Sequence, residues 1–237
     1  VRLYVDAAWQ RDAEIDLPAA AARHVQVRRL QPGDALRLFN GQGGEWAATV
    51  LRMGRSQVVV RVGDFDPMER ELGPHVTVAL GMPANERMDY LVEKATELGV
   101  HAIQPLQCER SVLRLAGERA QRKREHWQAI AVAAAEQCGR TRVPQVADLQ
   151  TLSRFLAQPP GEALRLLLSP GENAPALHAV AADAQALLTL SGPEGGLSPA
   201  EEAAARAAGF VPARLGVRVL RAETAPLAVL AWLGLKP

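Results

Sequence analysis

The stretch Leu190-Ser191-Gly192-Pro193-Glu194-Gly195-Gly196-Leu197-Ser198-Pro199-Ala200-Glu201 decides how this 237-residue chain is read. Before it, Ala186 to Leu190 is a short apolar run of strand length. After it, Ser198 is a good helix N-cap, Pro199 suits the first helical position, Glu201 closes a capping box with Ser198, and Gly209 supplies the stop. A strand therefore runs into a glycine loop and then into a helix. Glycines let backbone approach a ligand closely, and the amides at a helix start are donors toward it. The same glycines also suit a tight strand-to-helix turn that binds nothing, and the loop alone leaves both readings open. It is not a P-loop, because no Gly-Lys-Ser/Thr follows, and its spacing is not that of a dinucleotide fingerprint.

The next segment carries a second signal, Leu215-Gly216-Val217-Arg218-Val219-Leu220-Arg221-Ala222-Glu223-Thr224-Ala225. Arg218 and Arg221, followed by the carboxylate of Glu223, interrupt an otherwise apolar C-terminus. Charges on the solvated face of a last helix are one reading; a loop aimed at a ligand is the other, and the apolar flanks favour it.

Working outward, residues from His75 onward alternate strands with helices. Val76 to Leu80 reads as a strand, and Met88, Leu91, Val92, Ala95 and Leu98 keep helical spacing up to Gly99. Ala102 to Leu106 is the next strand, about 119–138 a long helix, and Leu164 to Leu168 a buried strand. Short apolar strands between helices predict an α/β domain whose parallel sheet is covered on both faces. The first sixty residues are different. Leu36 to Phe39 ends at the turn pair Asn40-Gly41, and Glu45 to Leu51 and Val58 to Val62 continue with strand-like content, which predicts a small β-barrel. The polar stretch Gly63 to Pro74 marks the boundary.

Composition limits the function classes. No run of eighteen apolar residues and no basic-apolar-small leader pattern is present, so neither a membrane span nor a secretory signal is expected. Cys108 and Cys138 are isolated, and none of the five histidines stands at metal-ligand spacing with them, so the expectation is a reducing, cytoplasmic setting without a metal. The formal net charge is only +1. It is unevenly spread: residues 1–62 hold nine arginines against six carboxylates, residues 108–142 eight Lys/Arg against four Glu, and residues 209–237 four Lys/Arg against Glu223 alone. Cationic patches of this kind fit phosphate binding. Arginine outnumbers lysine 24 to 3; guanidinium forks suit phosphates, but an Arg-favouring genome produces the same ratio.

Carrying both signals, the chain resembles the RsmE-type 16S ribosomal RNA (uracil-1498-N3) methyltransferases of the SPOUT superfamily. The likeness rests on Gly192 to Ser198 and Leu215 to Ala225. It extends to Arg87-Met88-Asp89, Glu93 to Val100, Pro105 to Ser111, Glu136 to Pro144, and His24 with Val27 to Asp34, and so covers nearly the whole chain. Two positions depart from the pattern: Arg28 stands where an aliphatic residue belongs, and Ser169-Pro170-Gly171-Glu172 is a variable version of one loop.

The resemblance implies a PUA-like RNA-binding β-barrel over about 1–70. A SPOUT methyltransferase domain would follow over about 74–237, its C-terminal segment threaded into a trefoil knot. It implies S-adenosylmethionine (AdoMet) as cofactor, held by three loops: Leu168, Ser169 and Pro170; Leu190, Gly192, Pro193, Glu194, Gly195 and Gly196; and Leu215, Gly216, Val219 and Leu220. It implies a homodimer acting on the small ribosomal subunit, with Arg28, Arg29, Arg110, Arg140 and Arg142 meeting RNA. Arg218 and Arg221 are then the candidates for steadying uracil oxygens or a neighbouring phosphate, and Glu223 for accepting the N3 proton or organising the arginines. Two rival classes stand beside this reading: a SPOUT enzyme acting on another ribosomal or transfer RNA nucleotide, and a non-catalytic RNA-binding module, which has no need of paired cofactor loops.

Overall fold

The computed structural model describes residues 1–84, 86–159, 161–168 and 174–235. These fall into two compact units, one made of residues 1–71 with 135–143, the other of residues 72–134 with the remainder.

The first unit holds β1 (Arg2–Tyr4), β2 (Glu14–Asp16), α1 (Ala19–Val27), β3 (Ala35–Phe39), β4 (Glu45–Met53) and β5 (Val58–Asp66). The strands form one sheet in the order β1-β3-β4-β5-β2, with β1 parallel to β3 and the other pairs antiparallel. Alternation puts Leu36 and Leu38 inward, where they pack with Val50, Val60 and Val62 under Ala21, Ala22 and Val25 of α1. The sequence reading has no helix here, although the run Ala19 to Ala22 has high helix propensity. Strand β5 runs on to Asp66, into the polar stretch 63–74, with Phe65 paired across the ladder with Trp46 at a ring separation of 5.1 Å, and the division between the units lies later in that stretch.

Residues 135–143 cluster with this unit for an electrostatic reason. The Arg2 guanidinium donates to the carbonyls of Ala135 (3.0 Å) and Arg140 (2.9 Å) and pairs with Glu45 at 2.7 Å. The Tyr4 amide donates to Glu136 Oε1 at 2.7 Å. Arg140 is 4% exposed and gives its fork to Glu71.

The second unit begins with β6 (His75–Gly81), α2 (Glu86–Glu97), β7 (Ala102–Gln107), α3 (Gly117–Cys138), β8 (Gln145–Val146), β9 (Gln150–Thr151) and α4 (Leu152–Leu156). It continues with β10 (Leu164–Leu168), α5 (Leu177–Val180), β11 (Ala186–Ser191), α6 (Pro199–Ala207), β12 (Val211–Ala213) and α7 (Thr224–Gly234). Its sheet runs β12-β10-β11-β6-β7-β8, parallel throughout, with β9 also beside β7. Val76, Val78 and Leu80 of β6 are buried, as is the α2 face of Met88, Leu91, Val92 and Ala95 that helical spacing predicts. Asp89 joins α2 to α3 by accepting from His126 Nε2 and Trp127 Nε1, both at 2.9 Å. Chain direction along the sheet reverses at β6, beside β11, and in open α/β sheets ligands bind outside the carboxyl ends of strands at such a switch point. The glycine loop leaves β11 at that end.

Candidate active site

Strands β12, β10 and β11 are neighbours, so the segments leaving their carboxyl ends lie side by side. They enclose a cleft of about 560 Å³, lined by Leu168 from β10, Ser191 to Gly196 from the glycine loop, and Val219 to Ala222 from the segment after β12. A niche of about 60 Å³ shares Leu168, Val219, Leu220 and Ala225 with it and adds Leu215, Gly216 and Arg218. Both belong to the second unit.

The loop is held on every side. The capping box forms as its sequence predicts: Ser198 Oγ accepts from the Glu201 amide and Glu201 Oε2 from the Ser198 amide at 2.9 Å. The Gly196 amide closes a turn on the Pro193 carbonyl at 2.8 Å, with Gly196 at φ +69°. Arg110 donates to the carbonyls of Gly195 (3.0 Å) and Leu197 (3.2 Å) from outside. Glu194 Oε1 accepts from the Ala84 amide at 2.8 Å and from Arg87 Nη1 at 3.2 Å, which fastens the loop to the entry of α2. A Cβ on Gly192 would lie 2.6 Å from the Gly196 carbonyl carbon and the Leu197 nitrogen. Only glycine fits there.

The electrostatics of the cleft are uneven. Neither Arg218 nor Arg221 has an ion pair or side-chain hydrogen bond among the described residues, and both are exposed. Glu223 does not pair with them. It sits at the N-cap of α7, 8% exposed, and its Oε2 has no partner among the described residues. Ser191 Oγ, at the cleft wall, is likewise buried and unpartnered. Behind the loop, burial and the nearby Glu201 charge push the Cys108 thiol up to about 12. Among the described residues no cluster of three or more His, Cys, Asp or Glu is arranged to hold a metal. No described helix is long and apolar enough to cross a membrane.

Comparison with known proteins places this architecture. A family model described as an RNA methyltransferase domain matches residues 70–234, and one described as an RNA methyltransferase PUA domain matches residues 17–63. The chain belongs to the RNA methyltransferase family. It is similar to the ribosomal RNA small subunit methyltransferase E of Synechocystis sp., 37% identical over 227 residues covering 93% of this chain and 72% of that protein. The Bacillus subtilis protein of the same name is 34% identical, over 87% of this chain and 84% of its own. A crystal structure of ribosomal RNA small subunit methyltransferase E from Neisseria gonorrhoeae bound to S-adenosyl methionine superposes with a TM-score of 0.92. It is 34% identical and covers 98% of this chain and 96% of that one. The fold class expected from sequence, an α/β methyltransferase domain preceded by a PUA-like domain, is the one found.

Within this RNA methyltransferase the predicted site residues are distributed as follows. Leu168, Gly192, Pro193, Glu194, Gly195, Gly196, Val219, Leu220 and Arg221 line the cleft, and Leu215, Gly216 and Arg218 the niche. Leu190 is wholly buried in the core beneath them and lines neither. Ser169 and Pro170 lie outside the described residues. Glu223 lines neither cavity. Ser191 lines the cleft within the expected Leu190 to Gly196 loop, and Arg87, Ala222 and Ala225 line it without having been named as site residues; Arg87 lies about a hundred residues upstream, and no local pattern connects it to the glycine loop. Among the predicted RNA contacts, Arg28 and Arg29 are exposed at the end of α1, with Arg29 at φ +57°. Arg140 is buried and gives its guanidinium to Glu71. Arg142 is half-exposed and paired with Glu69 at 3.0 Å. Arg110 spends two donors on the glycine loop.

Proposed function

We propose that this chain uses S-adenosylmethionine to methylate N3 of a uridine in 16S ribosomal RNA, at the position numbered 1498, within the small subunit. The observation that carries this reading is the cleft itself. Apolar Leu168, Val219 and Leu220, a backbone loop with no room for a Cβ at Gly192, and the unpaired guanidinium of Arg221 line one cleft, with Arg218 in the adjoining niche. The relatives named above are by name ribosomal RNA small subunit methyltransferases, which supports a small-subunit ribosomal RNA substrate.

The residues present fit AdoMet. Apolar side chains suit an adenine ring, the glycine loop admits close backbone approach, and the unpartnered Ser191 Oγ and unused amides offer hydrogen bonds to polar ligand atoms. When bound, AdoMet supplies an already activated sulfonium methyl group. The protein's own task is alignment of the base, exclusion of water and handling of one proton. Arg221, in the cleft, and Arg218, in the niche, are placed to meet negative charge on the uracil oxygens or the adjacent phosphate. Glu223, a buried carboxylate at the positive end of α7, follows Arg221 by two residues and is favoured there by the helix dipole. The target base must be unpaired or flipped out to enter.

The first unit, with Arg28 and Arg29 exposed, is assigned to gripping RNA through phosphates. A homodimer fits α7, whose Leu227, Ala231 and Trp232 are only half-buried in the single chain, and the exposed Val217 and Val219. Mapping methylated nucleotides in ribosomal RNA from a deletion strain, and after adding back the purified chain, tests the reading. Loss and restoration of one N3-methyluridine is expected; an unchanged uridine with a different nucleotide affected would overturn it.

A further inference from the structure

We infer that Arg87, Glu194 and Arg221 together read the uracil edge, and that Glu194 is the group that takes the N3 proton. This rests on the uridine-N3 reading above and goes beyond it by assigning the base-selective device.

Among the described residues lining the 560 Å³ cleft, three carry charge: Arg87, Glu194 and Arg221. Arg87 is bound through Nη1 alone, at 3.2 Å, and its side chain is 42% exposed, so its other donors remain available. Glu194 spends only Oε1, on the Ala84 amide and Arg87; its Oε2 has no partner among the described residues. Arg221 is unpaired. The set therefore offers donors from two guanidiniums and an acceptor from one carboxylate.

Uracil presents the complementary edge. O2 and O4 are acceptors and N3–H is a donor between them, so guanidinium, carboxylate and guanidinium match acceptor, donor and acceptor. Cytosine presents an acceptor at N3 and a donor amine at C4, which sets a lone pair against the carboxylate and an amine against a guanidinium. The charges that select uracil also serve the reaction. The N3–H proton passes to Glu194 Oε2 while N3 bonds to the methyl carbon and the carbon–sulfur bond breaks, its electron pair leaving with sulfur. The arginines bear the charge that develops on O2 and O4. The proton then leaves for solvent, to which the Glu194 side chain is 26% exposed. Glu223, lining neither cavity, has no comparable access.

The test uses the full chain, an oligoribonucleotide containing the target uridine, and the same oligonucleotide with cytidine at that position. Glu194→Gln keeps an oxygen for the Ala84 amide, so AdoMet affinity by calorimetry and thermal stability should stay near wild type. Without AdoMet, the wild-type chain should bind the uridine oligonucleotide about tenfold or more tightly than the cytidine one. Glu194→Gln should abolish that preference, because a carboxamide can donate to cytosine N3, and Arg87→Gln should weaken it. Single-turnover methylation by Glu194→Gln should fall at least a hundredfold near neutral pH and rise about tenfold per pH unit as N3 ionises unaided. A wild-type base preference and pH profile in Glu194→Gln would overturn the inference. So would equal loss of AdoMet affinity in both variants, which would assign the pair to the cofactor loop alone. Failure of the uridine reading itself is distinguishable, since the wild-type chain would then make no N3-methyluridine.

Discussion

Replacing Gly192 with alanine is the sharpest perturbation the cleft offers. The added Cβ would stand 2.6 Å from the Gly196 carbonyl carbon and the Leu197 nitrogen, about 0.8 Å inside ordinary contact, and 2.9 Å from the Gly196 Cα. All three are backbone atoms in a loop tied by the Gly196–Pro193 turn, the Ser198–Glu201 box and the Arg110 fork, so none yields cheaply. Overpacking of this kind costs on the order of 1–3 kcal/mol. In a chain of this size each kcal/mol lowers Tm by about 2–4 °C, so a fall of about 2–12 °C is expected, with AdoMet affinity reduced about tenfold or more. Two neighbours serve as controls. A Cβ on Gly195 meets only Arg110, its nearest atom the Cβ at 3.3 Å, and on Gly196 meets nothing within 4 Å, but Gly196 at φ +69° costs a side chain about 1–2 kcal/mol. Calorimetry with AdoMet and thermal unfolding should rank the damage as Gly192, then Gly196, then Gly195. Wild-type affinity and a melting point within about 1 °C in Gly192→Ala would refute the reasoning.

Arg140→Ala leaves the Glu71 carboxylate without its buried partner and should cost about 3 kcal/mol, whereas Arg142→Ala, at an exposed pair with Glu69, should cost less than about 1 kcal/mol; equal denaturant midpoints for the two variants would contradict this. The Cys108 thiol, raised from its ordinary 9.0 to about 12 chiefly by burial, keeps its proton in the folded chain while the unfolded chain loses it. Its contribution is therefore complete below about pH 9 and is lost as pH rises toward 12. Cys108→Ala should flatten that alkaline decline. In the native protein at pH 8.5, iodoacetamide should label half-buried Cys138 well before Cys108, and equal labelling would count against the burial argument.

Much of the fold was legible because its signals are local. The α2 face follows from helical spacing at Met88, Leu91, Val92 and Ala95, and the start of α6 from Ser198, Pro199 and Glu201, whose hydrogen bonds reach only three residues. The cleft was legible in part for the same reason, since the glycine loop and the arginine segment each carry their chemistry in a short run. Arg140 shows where such reading stops. In a basic stretch beside Arg142 it looks like another RNA contact, and only the position of Glu71, some seventy residues away, makes it a buried partner. Arg87 is the opposite case, an ordinary surface arginine of α2 until the sheet order brings β11 beside β6 and Glu194 within its reach.

By itself the sequence determined the principal strands and helices of the α/β part, where the glycine loop and its capped helix stand, and which charges stand among apolar residues, because propensity, capping and spacing act over a few neighbours. Tertiary structure alone decided the grouping: residues 135–143 with the first unit, Glu223 buried and not among the residues lining the cleft, and Arg87, Glu194 and Arg221 around one cavity. Those outcomes depend on strand order and on ion pairs between residues many tens of positions apart, and the energy of such a contact exists only once the chain between them has folded.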